Sequence, residues 1–329
     1  MEKIISSILF VLFIVYYASN RNIYWGDTNN YRAYFYNTSL NDFEWGFHYL
    51  VEFFSTFNLG FHNLLIFISF FISLCYVVSI IKYIELFSDK KSTGILSCIL
   101  SVSIICFHTY YMNFEAIRDG ISSSILIFAF YYLIRGEDKK YIFIAIIAAM
   151  FHKTVFLFLF LPWLIKIEIK PKLFLFLCIS LLLSSNLLVV FLTKTTLLPE
   201  AITHLFEFYS KNSSQSKTVL IRYLLIIFGM IFLYGNDKNK KYSYKVYLIF
   251  VWVILISFVF SAFPDMFRRI LIKVEYISYP ILILGLFRVN NVDKKIILLL
   301  LSGVFYLLFF SDYIAFYNLI NVTPLFNYI

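Results

Sequence analysis

Three ionisable side chains stand directly before one of the apolar segments of this sequence. Glu115, Arg118 and Asp119 precede the apolar run Ile121–Ile134. A charged group in a membrane segment is costly, so it marks a candidate functional site. The guanidinium of Arg118 would suit a planar anion with several oxygens, because it offers a fixed fork of donors. The simpler interpretation is that Arg118 only forms an ion pair with one of its two acidic neighbours.

A second polar group, His152 and Lys153, interrupts the apolar stretch Tyr141–Ile165. A carboxylate or an imidazole within hydrogen-bond reach of a hydroxyl group can take its proton as a general base. We expect Glu44 to be the first candidate for that role, with Asp27 and His152 as the others. A lone histidine in an apolar context is also compatible with a hydrogen-bonded core residue. An enzyme built on these residue types would use arginine to bind an anionic leaving group and a carboxylate or histidine as its base.

A third polar group begins at Arg268 and Arg269, where another apolar run starts. At about 100° per residue, Arg269, Lys273 and Tyr276 share one side of a helix. Arg268 and Glu275 lie on an adjoining line of the same helix. This spacing predicts a polar wedge that faces one sector. Arg268 and Lys273 could instead extend towards the membrane interface, but an acid such as Glu275 inside the span needs a partner.

The elements that must position these groups follow from the composition, which predicts an all-α, polytopic integral membrane protein. Of the 329 residues, 61% are hydrophobic and only 14% are charged, whereas about a quarter of a soluble domain is charged. The long apolar runs predict about ten transmembrane helices. No internal repeat or boundary is visible, so residues 1–329 are expected to form a single membrane-embedded domain. Besides Tyr141–Ile165, the predicted segments are Ile4–Ala18, Leu64–Ile81, Thr93–Phe107, Ile121–Ile134, Leu173–Leu192, Thr218–Tyr234, Val246–Phe263, Ile270–Phe287 and Ile296–Phe310.

The positive charges decide between two arrangements of Tyr141–Ile165. Basic turns flank this stretch at Arg135–Lys140 and at Lys166–Lys172. A single crossing would leave about 14 of the 28 Lys and Arg residues on each face, without a bias. A re-entrant hairpin broken at His152-Lys153 places about 17 of them on the cytoplasmic face, as the positive-inside rule requires. We therefore predict a hairpin whose limbs, about 11 residues each, reach half the hydrocarbon thickness.

Several classes of chemistry lack their sequence motifs here. The five histidines are scattered without metal-binding spacing, so no metal is expected. The Walker A loop and the glycine-rich dinucleotide motif do not occur, so nucleotides are not expected either. Lysines in short loops explain the net charge of +9, and nucleic acid is therefore not an expected partner. The four cysteines lie inside apolar runs, as packing residues do.

Short polar motifs recur in a fixed order along most of the chain. They are Asp27-x-x-x-Tyr31, Phe43-Glu44-x-Gly46-Phe47, Glu115-x-x-Arg118, Ala149-Met150-Phe151-His152-Lys153-Thr154, and Arg268-Arg269 to Tyr276 with Pro280 and an Asn-x-x-Pro ending at Pro324. In this order and spacing the chain resembles the EpsG-like group of Wzy-type polysaccharide polymerases. That family usually has a glutamine after its arginine, where this chain has Asp119, which leaves the role of Asp119 open.

The resemblance implies a membrane glycosyltransferase that polymerises undecaprenyl-pyrophosphate-linked oligosaccharide repeat units, as in exopolysaccharide, O-antigen or capsule biosynthesis. It would be a multi-pass protein of the bacterial cytoplasmic (inner) membrane, acting at the outer face without a cofactor or metal. Expected partners are the lipid-linked oligosaccharide, the bilayer, and a chain-length regulator and a flippase of the same pathway. The expected catalytic residues are Glu44, Asp27 and His152, and the expected substrate-binding residues are Arg118, Arg268, Arg269, Lys153 and Tyr276.

Other functions stay open at this point. A flippase or transporter of the same lipid-linked units would also carry charges at membrane depth, but it would more often have twelve or more helices in repeated halves. A membrane O-acyltransferase would centre on His152 or His108. A sensor without chemistry would leave Glu275 and the acids before Ile121–Ile134 unexplained.

Overall fold

All regular structure in the described part of the chain is helical, which confirms the predicted all-α class. The computed structural model describes residues 8, 11–12, 15–16, 18–19, 26–38, 43–87, 116–170, 172–181, 184, 241–260, 266–267, 269–271 and 273. The helices are α1 Gly26–Tyr36, α2 Trp45–Thr56, α3 Gly60–Phe87, α4 Ile117–Arg135, α5 Asp138–Ala149, a 3₁₀ helix Lys153–Phe160, α6 Leu161–Leu164, α7 Lys172–Leu181 and α8 Lys241–Val259.

Two helices of the described part are long and apolar enough to cross a membrane. They are Gly60–Tyr83, with 24 residues, and Ile117–Arg135, with 19 residues. Both contain segments predicted from the sequence. The predicted segments Thr93–Phe107, Thr218–Tyr234 and Ile296–Phe310 lie outside the described residues.

Helices α3 and α4 run in the same direction, side by side. The Tyr83 hydroxyl donates to the Ile127 carbonyl over 2.7 Å, and Lys82 Nζ lies 5.1 Å from the centre of the Tyr131 ring. Both contacts join the C-terminal half of α3 to the C-terminal half of α4. The C-terminal ends of the two helices therefore lie at the same end of the molecule.

Helix α4 ends at a glycine that no other residue could easily replace. Gly136 has φ of +83°, and the Gly136 and Glu137 amides donate back to the carbonyls of Leu133 and Tyr132. This left-handed conformation favours glycine because it has no Cβ. A Cβ at Gly136 would also lie 2.9 Å from Lys245 Nζ, which places the start of α8 beside this turn.

The chain reverses direction after α5. Helix α5 ends at Ala149, and His152 has extended backbone angles (φ −155°, ψ 119°) before the 3₁₀ helix begins. The Tyr141 hydroxyl, near the start of α5, donates to the Phe158 carbonyl over 2.7 Å. The 3₁₀ helix therefore runs back beside α5, and we call Met150–Lys153 the tip.

The two ends of this hairpin lie at the same end of the molecule. Lys245 lies beside Gly136, which comes just before α5, the first limb. The Tyr247 hydroxyl donates over 3.1 Å to the carbonyl of Ile169, which follows the second limb, the 3₁₀ helix and α6. Helix α8 thus contacts both ends of the hairpin within its first two turns. The tip points the other way, towards the first turn of α4.

Candidate functional site

The tip of the hairpin meets the start of α2 in a very close backbone contact. The Gly46 amide donates to the Met150 carbonyl over 2.8 Å. A Cβ at Gly46 would lie 2.9 Å from that carbonyl oxygen, closer than real Cβ atoms come, so the contact requires glycine. It places Glu44, which directly precedes α2, next to the tip.

Glu44 joins three distant parts of the chain. Its Oε2 atom accepts from Arg118 NH1 in the first turn of α4, and its Oε1 atom accepts from the Lys153 amide over 3.4 Å. The Glu44 side chain is only 16% exposed and the Arg118 side chain 19%. Burial alone would raise the pKa of Glu44, but Arg118 and the Lys153 amide outweigh it and hold that pKa below its ordinary value. Glu44 is therefore an anion held in a fixed position.

Aromatic rings fix the plane of the Arg118 guanidinium. Its carbon lies 4.2 Å from the centre of the Phe43 ring and 5.8 Å from that of Tyr31. A guanidinium over an aromatic face is held by its attraction to the ring electrons. The buried Nε atom of Arg118 has no hydrogen-bond partner within the part of the chain that the structure describes. Two rings and the Glu44 carboxylate thus hold Arg118, and its Nε donor is left without an acceptor among the described residues.

A second ion pair is fully enclosed beside the first. Lys273 Nζ donates to Asp119 Oδ1, to Ser122 Oγ over 2.8 Å and to Ser123 Oγ over 3.1 Å. Lys273 is 0% exposed. Because Arg118 and Asp119 are neighbours on α4, its first turn holds Glu44 on one side and Lys273 on the other.

His152, in the tip of the hairpin, faces the segment that carries Lys273. Arg269 NH1 is 3.2 Å from His152 Nε2, while the Thr154 hydroxyl is 2.8 Å from His152 Nδ1. Asp119 Oδ1 is 3.9 Å from Nε2. A guanidinium can only donate, so it opposes a proton on Nε2 and favours the neutral imidazole. The ring is buried and held from both sides.

The structure brings five of the eight expected site residues together: Glu44, Arg118, His152, Lys153 and Arg269. Asp27 lies exposed in the first turn of α1, without a hydrogen bond to any of those five in the described part. Arg268 and Tyr276 lie outside the described residues.

Sequence reasoning missed the pairing of Asp119 with Lys273 and the aromatic support from Tyr31 and Phe43. Helical spacing placed Lys273 on the same side as Arg269. It could not predict that Lys273 pairs with Asp119, because the two residues are 154 positions apart in the sequence. The signal that could have pointed to it is the need of any lysine inside a membrane segment for an anionic partner. No three His, Cys, Asp or Glu side chains come together as a metal site would require within the described ranges.

The comparisons with known proteins bear on the whole chain. The model of the EpsG family matches residues 4–329. No curated protein and no solved structure matches the sequence. The family match and the two long apolar helices indicate a membrane protein with a polysaccharide-polymerase type of role. Because the match covers nearly the entire length, the chain belongs to the EpsG family, a family of Wzy-like polysaccharide polymerases.

Proposed function

We propose that this protein polymerises undecaprenyl-pyrophosphate-linked oligosaccharide repeat units at the outer face of the bacterial cytoplasmic membrane. The observation that carries the proposal is the convergence of Glu44, Arg118, Lys153 and Arg269 from four distant segments. A carboxylate beside several cations is what transfer of a sugar from a diphosphate requires, since one group takes a proton and the others bind the leaving anion.

The position of the cluster supports action at the outer face. It lies at the first turn of α4, whereas Arg135 and Lys140 follow the opposite end of that helix, near Lys82 and Lys245. Lysine-rich ends of membrane helices favour the cytoplasmic side. The end with Glu44 then faces outwards, and the hairpin enters the membrane from the cytoplasm and returns.

Glu44 is the proposed general base. In the transfer step the acceptor sugar hydroxyl gives its proton to the Glu44 carboxylate, and its oxygen forms a bond to the anomeric carbon of the donor sugar. The bond from that carbon to the diphosphate oxygen breaks, and its electron pair leaves with the lipid diphosphate. Glu44 is the carboxylate that Arg118 and the Lys153 amide hold at the tip. When Arg118 turns to bind the diphosphate, its hold on Glu44 weakens and the carboxylate becomes a stronger base.

Lys153, Arg269 and Arg118 are the proposed ligands of the diphosphate. The Lys153 side chain is exposed at the tip, so its ammonium group is free to reach an incoming anion. Positive groups fixed before the reaction stabilise charge that develops on the leaving group. His152 is less suited as the base, because Arg269 already occupies the lone pair of its Nε2 atom.

The lipid-linked pool of a deletion strain tests this function. We expect single repeat units on lipid to accumulate at the outer face, and polymer to return when the gene is restored. Units trapped at the inner face would instead identify a flippase, and full-length polymer without acyl groups would identify an O-acyltransferase. Either of those two results would overturn the proposal. A chain-length regulator and a flippase of the same pathway are the proposed partners.

A further inference from the structure

We propose that Asp119 and Lys273 are positioning residues whose buried ion pair sets Arg269 against His152. Arg269 contacts His152 directly, and Asp119 Oδ1 lies 3.9 Å from the same ring nitrogen. The proposal is that the main effect of the pair on the site passes through Arg269. Only the activity measurement below rests on the function proposed above.

The Lys273 ammonium group is completely satisfied where it lies. It has three protons, and three oxygens accept them: Asp119 Oδ1, Ser122 Oγ and Ser123 Oγ. All three acceptors belong to the first two turns of α4, and Lys273 is fully buried among them. The side chain therefore has one position, and it fixes the backbone of its own segment relative to α4.

The spacing of four residues carries that position to Arg269. Residues 269–271 and 273 are helical, so Arg269 and Lys273 lie on the same side, one turn and about 6 Å apart. When Lys273 is fixed on α4, Arg269 stands at the level of the hairpin tip, where its NH1 atom is 3.2 Å from His152 Nε2.

A buried ion pair is not needed for stability alone. Replacing both partners by apolar side chains of similar volume is often neutral or stabilising, whereas removing one partner leaves an uncompensated charge. The double variant Asp119→Leu with Lys273→Met should therefore fold, while either single substitution should lower expression. This difference makes the double variant the right test of positioning, separate from folding.

The activity test compares four purified forms of the full chain in lipid nanodiscs. They are wild type, Arg269→Ala, the double variant, and a triple variant that combines Arg269→Ala with the double variant. Chain extension of lipid-linked repeat units is followed by gel. We expect Arg269→Ala and the double variant to slow extension at least tenfold, and the triple variant to be no slower than Arg269→Ala within about twofold. Residues that act through one another are not additive in this way. The proposal would be overturned if the fold-loss of the triple variant equalled the product of the losses of Arg269→Ala and the double variant. Full activity in the double variant would overturn it too.

A second measurement does not depend on any activity. The ¹⁵N resonances of the His152 ring, assigned by their loss in His152→Gln, report the donor that faces Nε2. We expect the double and the triple variants to show the same displaced signal as Arg269→Ala. Because Asp119 Oδ1 lies 3.9 Å from Nε2, a triple variant whose signal differs from that of Arg269→Ala would mean that the pair acts on the ring directly, and would overturn the proposal. A wild-type signal in the double variant would refute positioning even if the protein proved to have a different function.

A matched control removes an ion pair that stands elsewhere. Lys140 Nζ contacts Glu137 Oε2 over 2.5 Å at the opposite end of α4. The variant Glu137→Leu with Lys140→Met should keep the wild-type His152 signal and wild-type extension. A change of that signal in the control would mean that any lost pair perturbs the ring, and would also overturn the proposal.

Discussion

Arg118 and Glu44 show how much of the site depends on single side chains. Their contact spans 74 residues of sequence and joins α4 to the residue before α2. The sequence identified both as site candidates: Arg118 because it stands before an apolar segment, and Glu44 because a carboxylate can act as a general base. Their pairing could not be predicted, since helical spacing gives the face of a side chain and not its partner. The simpler sequence interpretation paired Arg118 with Glu115 or Asp119. Glu115 lies outside the described residues, and the structure pairs Arg118 with Glu44 and Asp119 with Lys273.

Substituting Arg118 tests the candidate site at its centre. We expect Arg118→Ala to insert into the membrane at normal levels but to extend chains at least about 100-fold more slowly, as loss of a fixed transition-state donor does. Extension of purified lipid-linked units, measured by gel, checks this. Arg135→Ala, at the opposite end of α4, is the control and should retain activity. Polymer of normal length from Arg118→Ala would remove Arg118 from the mechanism.

Acid should weaken the contribution of the Glu44–Arg118 pair to stability. The pKa of Glu44 in the folded protein lies below its ordinary value of 4.5. A lowered carboxylate pKa gives stability that is present above the unfolded pKa and is lost as pH falls through the folded pKa. The Tm difference between wild type and Glu44→Gln should therefore be full at pH 7 and shrink below about pH 4.5. A difference that grew on acidification would contradict the ion pair.

The hairpin of α5 and the 3₁₀ helix is the element that builds the site. The sequence predicted a break at His152-Lys153, and α5 does end at Ala149, just before these residues. Its limb of 12 residues is close to the predicted 11. The tip contacts the first turn of α4, at the far end of a helix of 19 residues. The hairpin therefore extends along nearly the whole of α4, further than the half of the hydrocarbon thickness that the sequence predicted. The passage of this hairpin through a membrane stays a prediction.

Two glycines separate a packing effect from a backbone effect. Gly46→Ala would place a Cβ 2.9 Å from the Met150 carbonyl, so the tip must move away from Glu44. We expect at least a tenfold loss of chain extension with little change in expression. Gly60 has φ of +75° but open space around it. Gly60→Ala should therefore lower only the free energy of unfolding, by about 1 kcal/mol for the left-handed backbone, which a lower Tm would report. Equal activities of the two variants would contradict a site built on the tip.

At the scale of the whole molecule, the arrangement of basic residues matches one orientation of the described helices. Residues near Lys82, Arg135 and Lys245 gather at one end, and the tip lies towards the other. Counting positive charges could predict that the basic residues and the tip lie at opposite ends, because the count uses only the order of the segments and the composition of the loops. It could not predict which segments touch, because many packings of long apolar helices satisfy the same count.

Reporter fusions test that orientation. Alkaline phosphatase, which is active only outside the cytoplasm, can be fused after Gly136 and after Glu168. We expect both fusions to be inactive, because the two ends of the hairpin lie at the same end of the molecule. A fusion after Asn37, which directly follows α1, is the positive control and should be active. Opposite results for Gly136 and Glu168 would mean that the intervening stretch crosses the membrane once.

The pairing of Asp119 with Lys273 has a consequence for biosynthesis. The ribosome makes the carboxylate 154 residues before the lysine, a delay of roughly 8 to 30 s at ordinary rates of translation. Throughout that interval α4 carries an acid without its cation, so water or the insertion machinery must solvate it. A nascent chain halted before Lys273 should therefore be a substrate for membrane quality-control proteases, and release of the arrest should rescue it.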